Sequence, residues 1–166
     1  MEFEIRPATA SDVPGITEIY NQWIVASHVS FDDEPWTVAE REEWFSNYSD
    51  TGPYRCLVAT AQDGSIAGTS YSGPFRNKSG YRRSVETTVV VGKNALGVGL
   101  GRHLLIALLA VLATEPIHRA YAMIALPNDA SVDLHLQLGY RSVGVLDEVG
   151  YKNGKAWSTE LFELRL

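Results

Sequence analysis

Apolar and polar residues alternate at the start of the chain, Phe3 and Ile5 against Glu2, Glu4 and Arg6, which is the period of a strand with one buried face. The period then lengthens. Ile16, Ile19, Tyr20, Trp23 and Ile24 recur at helical spacing, with Ser11 placed to cap the helix and Asp12 to sit in its first turn. Thr37 followed by Glu40 is a capping-box pattern, and Trp44 and Phe45 give this second helix its apolar side. The loop between the two helices, Phe31-Asp32-Asp33-Glu34-Pro35-Trp36, carries two aromatics and three acids.

Residues 54–61 and 65–72 read as strands joined by the turn Asp63-Gly64, and residues 73–80 as a basic loop. The β-branched run 85–91 has the character of a central strand and leads into Gly97, Gly99 and Gly101. A long apolar helix over 99–114 follows, then a strand over 120–126 and a short helix over 128–138. The tail from Tyr140 is expected to hold two strands around Lys152-Asn153-Gly154. The order βααβββαβαββ predicts one α/β domain over 1–166, a mixed sheet covered by helices.

Composition narrows the partners. A chain of 166 residues, 45% hydrophobic, buries one sizeable core. The net charge of -6 argues against nucleic acid or an anionic membrane as the main partner, because both demand a basic face. One cysteine, Cys56, forms no intrachain disulfide and offers no metal-ligand spacing, so no metal is expected. The start Met1-Glu2-Phe3-Glu4 does not read as a signal peptide, and the apolar run 104–113 is too short to span a membrane. A cytoplasmic protein is expected.

Gly97-Val98-Gly99-Leu100-Gly101 lies between a strand and a helix, where backbone N–H groups at a helix start can bind phosphate oxygens. Such turns also occur without a ligand. The segment resembles the coenzyme A pyrophosphate loop of the GNAT acetyltransferases, whose pattern is Gln or Arg, two residues, Gly, one residue, then Gly or Ala. Gly99 and Gly101 match, while Leu96 stands where Gln or Arg is usual. Ile5-Arg6-Pro7-Ala8-Thr9, Gly73-Pro74-Phe75-Arg76, Val85-Glu86, Leu126-Pro127-Asn128-Asp129, Leu134-His135 and Leu138-Gly139-Tyr140 extend the similarity to the phosphinothricin and methionine sulfoximine N-acetyltransferases.

The resemblance implies a GNAT fold with a mostly antiparallel sheet splayed between its fourth and fifth strands, acetyl-CoA as cosubstrate, a small amine as acceptor, and a homodimer. It implies cosubstrate contacts from Val89, Val90, Val91, the backbone of Gly97, Val98, Gly99, Leu100, Gly101 and Arg102, and Asn128. Contacts from the tail around Tyr151, Lys152 and Trp157 would help to join the dimer. Acceptor contacts are expected from Phe31, Arg76, Lys78, Glu86 and Thr87.

Acetyl transfer from a thioester needs a neutral amine and a proton for the departing thiolate. Glu86, an acid within a Val- and Thr-rich run, is the candidate base; otherwise it faces solvent or pairs with Arg82 or Arg83. His135 shares an apolar helix face with Val132 and Leu138, and is either a core histidine or the general acid. Asn128 reads first as a helix cap. Arg76, Lys78, Arg82 and Arg83 form a basic cluster that is either solvated surface or a set of donors for an acidic acceptor. Two other readings share these residues: acetylation of a protein N-terminus or other small amine, and a non-catalytic acyl-CoA sensor, for which Leu96 speaks.

Overall fold

The N-terminal alternation becomes β1 (Glu4–Pro7) in a computed structural model that describes residues 2–166, with Met1 outside them. The first helix, α1 (Val13–Ala26), is not capped by Ser11. Residues 10–12 form a single 3-10 turn instead, closed by Asp12, whose carboxylate accepts from the Thr9 N–H (2.7 Å) and hydroxyl (2.9 Å) and from both Arg6 terminal nitrogens (2.7 and 2.8 Å). A carboxylate with four acceptor sites outcompetes a hydroxyl for this position. The Arg6 hydrogen bonds hold the Asp12 carboxyl down at about 2 despite its burial.

The second helix, α2 (Val38–Phe45), starts with the expected reciprocal cap: Glu40 N–H donates to Thr37 Oγ1, and the Glu40 carboxylate accepts from the Thr37 N–H. β2 (Cys56–Thr60) and β3 (Ile66–Pro74) form a hairpin whose turn uses Gly64 at φ +82°. β3 runs two residues further than expected, pairing Gly73 with Glu86 and Pro74 with Val85 of β4 (Ser84–Val91). Gly92 N–H donates to Ala67 O in the same register, so alternation puts Pro74 opposite Val85 in a pair without mutual hydrogen bonds. Its missing N–H is not needed there.

The remaining elements are α3 (Leu100–Leu112), β5 (Arg119–Ala125), α4 (Asp129–Gln137), β6 (Arg141–Lys152) and β7 (Lys155–Arg165). Asn153 and Gly154, both at positive φ, make the two-residue turn between β6 and β7. The sheet order is β1-β2-β3-β4-β5-β7-β6, antiparallel except for β4 beside β5. Helix α3 buries Leu104, Leu105, Leu108 and Leu112 completely against one face with Leu57, Val85 and Phe162. On the other face, α1 and α2 cover Cys56, Val58 and Tyr71 through Ile16, Trp44 and Phe45. No helix among the described residues is long and apolar enough to cross a membrane.

β4 and β5 pair only at Ser84–Arg119, Val85–Ala120 and Glu86–Tyr121, then part. Thr87 closes the paired stretch: its hydroxyl donates to the Tyr121 carbonyl (3.1 Å) and lies 2.8 Å from the Tyr140 hydroxyl. The splay expected between the fourth and fifth strands is present. Tyr140 follows Gly139 (φ +88°) at the end of α4 and is buried, as expected of a core aromatic after a helix stop.

Candidate functional site

Beyond the fork, two strands face each other with no ladder between them. Pleat alternation from the Gly92–Ala67 bond turns the N–H and C=O of Val89 and Val91 away from β3, toward the opening. The bond from Leu126 N–H to Ser158 O likewise turns the backbone of Met123 and Ala125 away from β7 and toward β4. Strand edges inside a fold demand partners. Between them lies a cavity of about 410 Å³, lined by residues 87–91 and 122–125 with Tyr20, Trp23, Val29 and Ser30 on one side and Leu96, Gly101, Asn128, Ser131, Leu134 and His135 on the other. The Val91 carbonyl already accepts the Trp23 indole N–H at 2.9 Å, which leaves it one lone pair.

The glycine segment forms one end of this cavity. Gly97 (φ +76°) and Gly99 (φ +77°) occupy the left-handed region, and a Cβ at either would meet open space, so the demand for glycine is conformational. Gly99 caps α3, and the N–H groups of Leu100 and Gly101 have no helical partner, as at any helix start. Gly101 is different. A Cβ there would rest 3.5 Å from Leu134 and Val91, ordinary contact, which is why Ala is compatible with the pattern at this position. Leu96 and Val98 are about half exposed, Leu96 along the cavity wall, and Arg102 is exposed on the first turn.

Asn128 caps α4 through its side-chain oxygen, which accepts from the Ser131 N–H at 3.3 Å, and its residue lines the cavity. His135, 3% exposed, lies one helical turn beyond Ser131, with Nδ1 2.7 Å from the Ser131 carbonyl oxygen. Burial pushes its pKa below the ordinary histidine value, with the Ser131 bond opposing.

Glu86 lies on the opposite face of β4, at the last rung before the strands part. Burial raises its carboxyl above the usual range, and the Arg76 charge partly offsets this. Arg76 stacks its guanidinium 4.2 Å from the Phe75 ring centre and donates to the Phe75 carbonyl (2.7 Å); Phe75 in turn stacks on Tyr121, opposite Glu86, at 4.0 Å. Arg82 and Arg83 do not pair with Glu86. They donate to the Ser79 and Pro116 carbonyls.

Of the residues singled out from sequence, Thr87, Val89, Val90, Val91, Gly101, Asn128 and His135 share the cavity. Gly97, Val98, Gly99, Leu100 and Arg102 flank the lining residues Leu96 and Gly101 along the chain, and Glu86, next to the lining residue Thr87, and Arg76 are outside the lining. Thr87 is buried and its hydroxyl is engaged within the fork. Phe31 lies against Gly150, its ring where a Cβ on residue 150 would stand, and Lys78 is exposed at the edge of the 79–81 turn. Sequence reasoning missed Tyr20, Trp23, Ser30, Met123 and Tyr121. Tyr20 and Trp23 showed only as an apolar helix face, and Tyr121 as one aromatic in a strand; their shared location depends on sheet register. In the tail, Tyr151 is exposed, but Lys152 is buried and donates to the Ile24 (2.7 Å) and Ser30 (2.6 Å) carbonyls, while Trp157 stacks on His28 at 4.0 Å.

Residues 5–159 match a family model described as an acetyltransferase (GNAT) domain. A phosphinothricin N-acetyltransferase of Streptomyces coelicolor is 43% identical over 98% of this chain and 95% of its own. An L-methionine sulfoximine/L-methionine sulfone acetyltransferase of Pseudomonas aeruginosa is 34% identical over 100% of this chain and 96% of its own. Among solved structures, a GNAT superfamily phosphinothricin acetyltransferase of Sinorhizobium meliloti in complex with acetyl-CoA superposes with a TM-score of 0.94 at 29% identity, covering 100% of this chain and 89% of that one.

Proposed function

The chain belongs to the GNAT acetyltransferase family, and on that basis we propose that it is an acetyl-CoA-dependent N-acetyltransferase of small amino-acid-like amines of the phosphinothricin, methionine sulfoximine or methionine sulfone type. The observation that carries this reading is the forked sheet, whose two unpaired strand edges end at a glycine-rich helix start on one side and meet a desolvated carboxylate beside an arginine on the other. The backbone of Val89 and Val91 matches the amide groups of a pantetheine arm. The N–H groups of Leu100 and Gly101, with the positive end of α3, match its pyrophosphate.

Acetyl-CoA, when bound, supplies the acetyl group as a thioester. Glu86 takes one proton from the acceptor ammonium, directly or through a water, and burial, by raising its pKa, makes it a stronger base than an exposed carboxylate. The freed nitrogen lone pair would then attack the thioester carbon, the C–N bond forming as the C–S bond breaks and the second nitrogen proton passing to the departing sulfur. Arg76, fixed over Phe75, offers a charged donor to the carboxylate, phosphinate or sulfoximine end of the acceptor. Cys56 is buried with its thiol pushed up to about 12, so attack by the acceptor amine itself is favoured over an acetyl-cysteine route.

The protein acts in the cytoplasm as a homodimer in this reading. β6 is a free sheet edge that exposes Val143, Val145, Leu146, Val149 and Tyr151, an apolar strip that a second copy would cover. A thiol-release assay with acetyl-CoA and a panel of phosphinothricin, methionine sulfoximine, methionine sulfone, ordinary amino acids and short peptides tests the assignment. Turnover concentrated on the first three supports it; release of thiol only with peptides, or with no acceptor at all, refutes it.

A further inference from the structure

His135 is wedged between two aromatic rings. Tyr140 meets it edge-on at 5.0 Å and Phe162 lies tilted at 6.2 Å, while the remaining side of the imidazole borders the cavity. Its Nδ1 stands 2.7 Å from the Ser131 carbonyl oxygen. A carbonyl oxygen can only accept, so Nδ1 carries a proton, and in a neutral ring Nε2 is then a bare lone pair. Among the described residues nothing donates to Nε2. The Tyr140 hydroxyl is directed to Thr87 Oγ1 at 2.8 Å, and Phe162 has no donor. A second proton on the ring is opposed by burial, and no charged side chain from α4, β4, β6 or β7 bears on the ring to offset that.

We propose that His135 is a hydrogen-bond acceptor locked in the Nδ1–H tautomer, receiving a donor from the thioester end of the cosubstrate, and not the acid that protonates the leaving thiolate. The donor class is an amide N–H of the arm before transfer and the thiol S–H after it. This rests on the acetyl-CoA reading of the cleft. Proton accounting closes without His135: the acceptor ammonium gives one proton to Glu86, and a second leaves the same nitrogen for sulfur as the C–N bond forms and the C–S bond breaks.

The tautomer is measurable without turnover. Long-range ¹⁵N–¹H correlation spectra of the histidine-labelled protein at pH about 7.5 should show one ring proton, on Nδ1, and the Nε2 resonance should move on addition of coenzyme A itself. Kinetics give a second readout. His135→Phe should raise KM for acetyl-CoA about 10-fold, the scale of one lost hydrogen bond, while the pH profile of kcat keeps its shape, and His135→Gln, which retains an acceptor oxygen, should recover most of that loss. A proton on Nε2, an imidazolium at that pH, or a loss of kcat of about 10²-fold with a missing limb in the pH profile would overturn the inference. Binding of coenzyme A by calorimetry with Nε2 unmoved overturns it alone; absence of binding overturns the reading of the cleft together with it.

Discussion

The two sides of the fork are built from different materials. On the side of α3 and α4, the cavity presents backbone: two unpaired strand edges, two glycines in the left-handed region and two helix starts. On the side of α1 and α2 the site presents side chains: Tyr20 and Trp23 in the cavity wall, and Glu86, Arg76 over Phe75, and Tyr121 outside its lining. Backbone contacts tolerate almost any side chain provided φ and ψ are right, so the first side can hold a constant cosubstrate while the second is free to select the acceptor. Leu96 illustrates the rule. It stands where the family pattern has a polar residue, yet Gly97 and Gly99 after it both take positive φ.

Substitutions on the two sides should therefore fail differently. Gly99→Val forces a β-branched residue to φ +77°, a strain of about 1–3 kcal/mol, and should weaken acetyl-CoA binding on the order of 10- to 100-fold by calorimetry. Similar losses for Leu96→Ala would break the distinction. Arg76→Ala should raise KM for acidic or sulfoximine acceptors about 10-fold and leave acetyl-CoA affinity unchanged; a matching loss for neutral amine acceptors would remove Arg76 from recognition. Gly101→Ala, with its Cβ in ordinary contact, should change acetyl-CoA affinity by no more than about 2-fold.

The smallest effect concerns stability. Burial raises the Glu86 pKa in the folded chain above its unfolded value, so its contribution is fully present below about pH 4.5 and is lost as pH rises through the folded pKa. Glu86→Gln removes that loss. Thermal unfolding should give the variant a higher Tm than the parent at neutral pH, with the difference vanishing near about pH 4; a lower Tm at neutral pH would mean that the carboxylate is stabilised by its surroundings.

Much of the backbone side was legible in the sequence, because glycine at positive φ and turn pairs such as Asp63-Gly64 and Asn153-Gly154 are local requirements. The resemblance added the splay, which strand composition alone does not predict. What stayed hidden depends on contacts distant in sequence. Trp23 reaches the Val91 carbonyl across 68 residues, Phe31 fills the space left by Gly150, and Lys152 closes the end of α1 from the far hairpin. Trp23 reads in the sequence as an ordinary apolar helix position, Phe31 as an acceptor contact and Lys152 as a dimer contact, and none of these readings contains the packing partner. The error at Ser11 was of another kind: Asp12, read as a first-turn acid, is drawn back to Thr9 and Arg6, so a 3-10 turn over residues 10–12 precedes the helix that Ser11 was expected to cap.

The central claim is that a backbone cradle for acetyl-CoA and a side-chain base for the acceptor meet across the fork at Glu86. Measuring kcat together with the acetyl-CoA Kd for Glu86→Gln, on the best acceptor, tests it directly. A fall in kcat of about 10²-fold or more with Kd changed by no more than about 2-fold is predicted. Full turnover across the pH range, or a loss of acetyl-CoA binding as large as the loss of kcat, would contradict it.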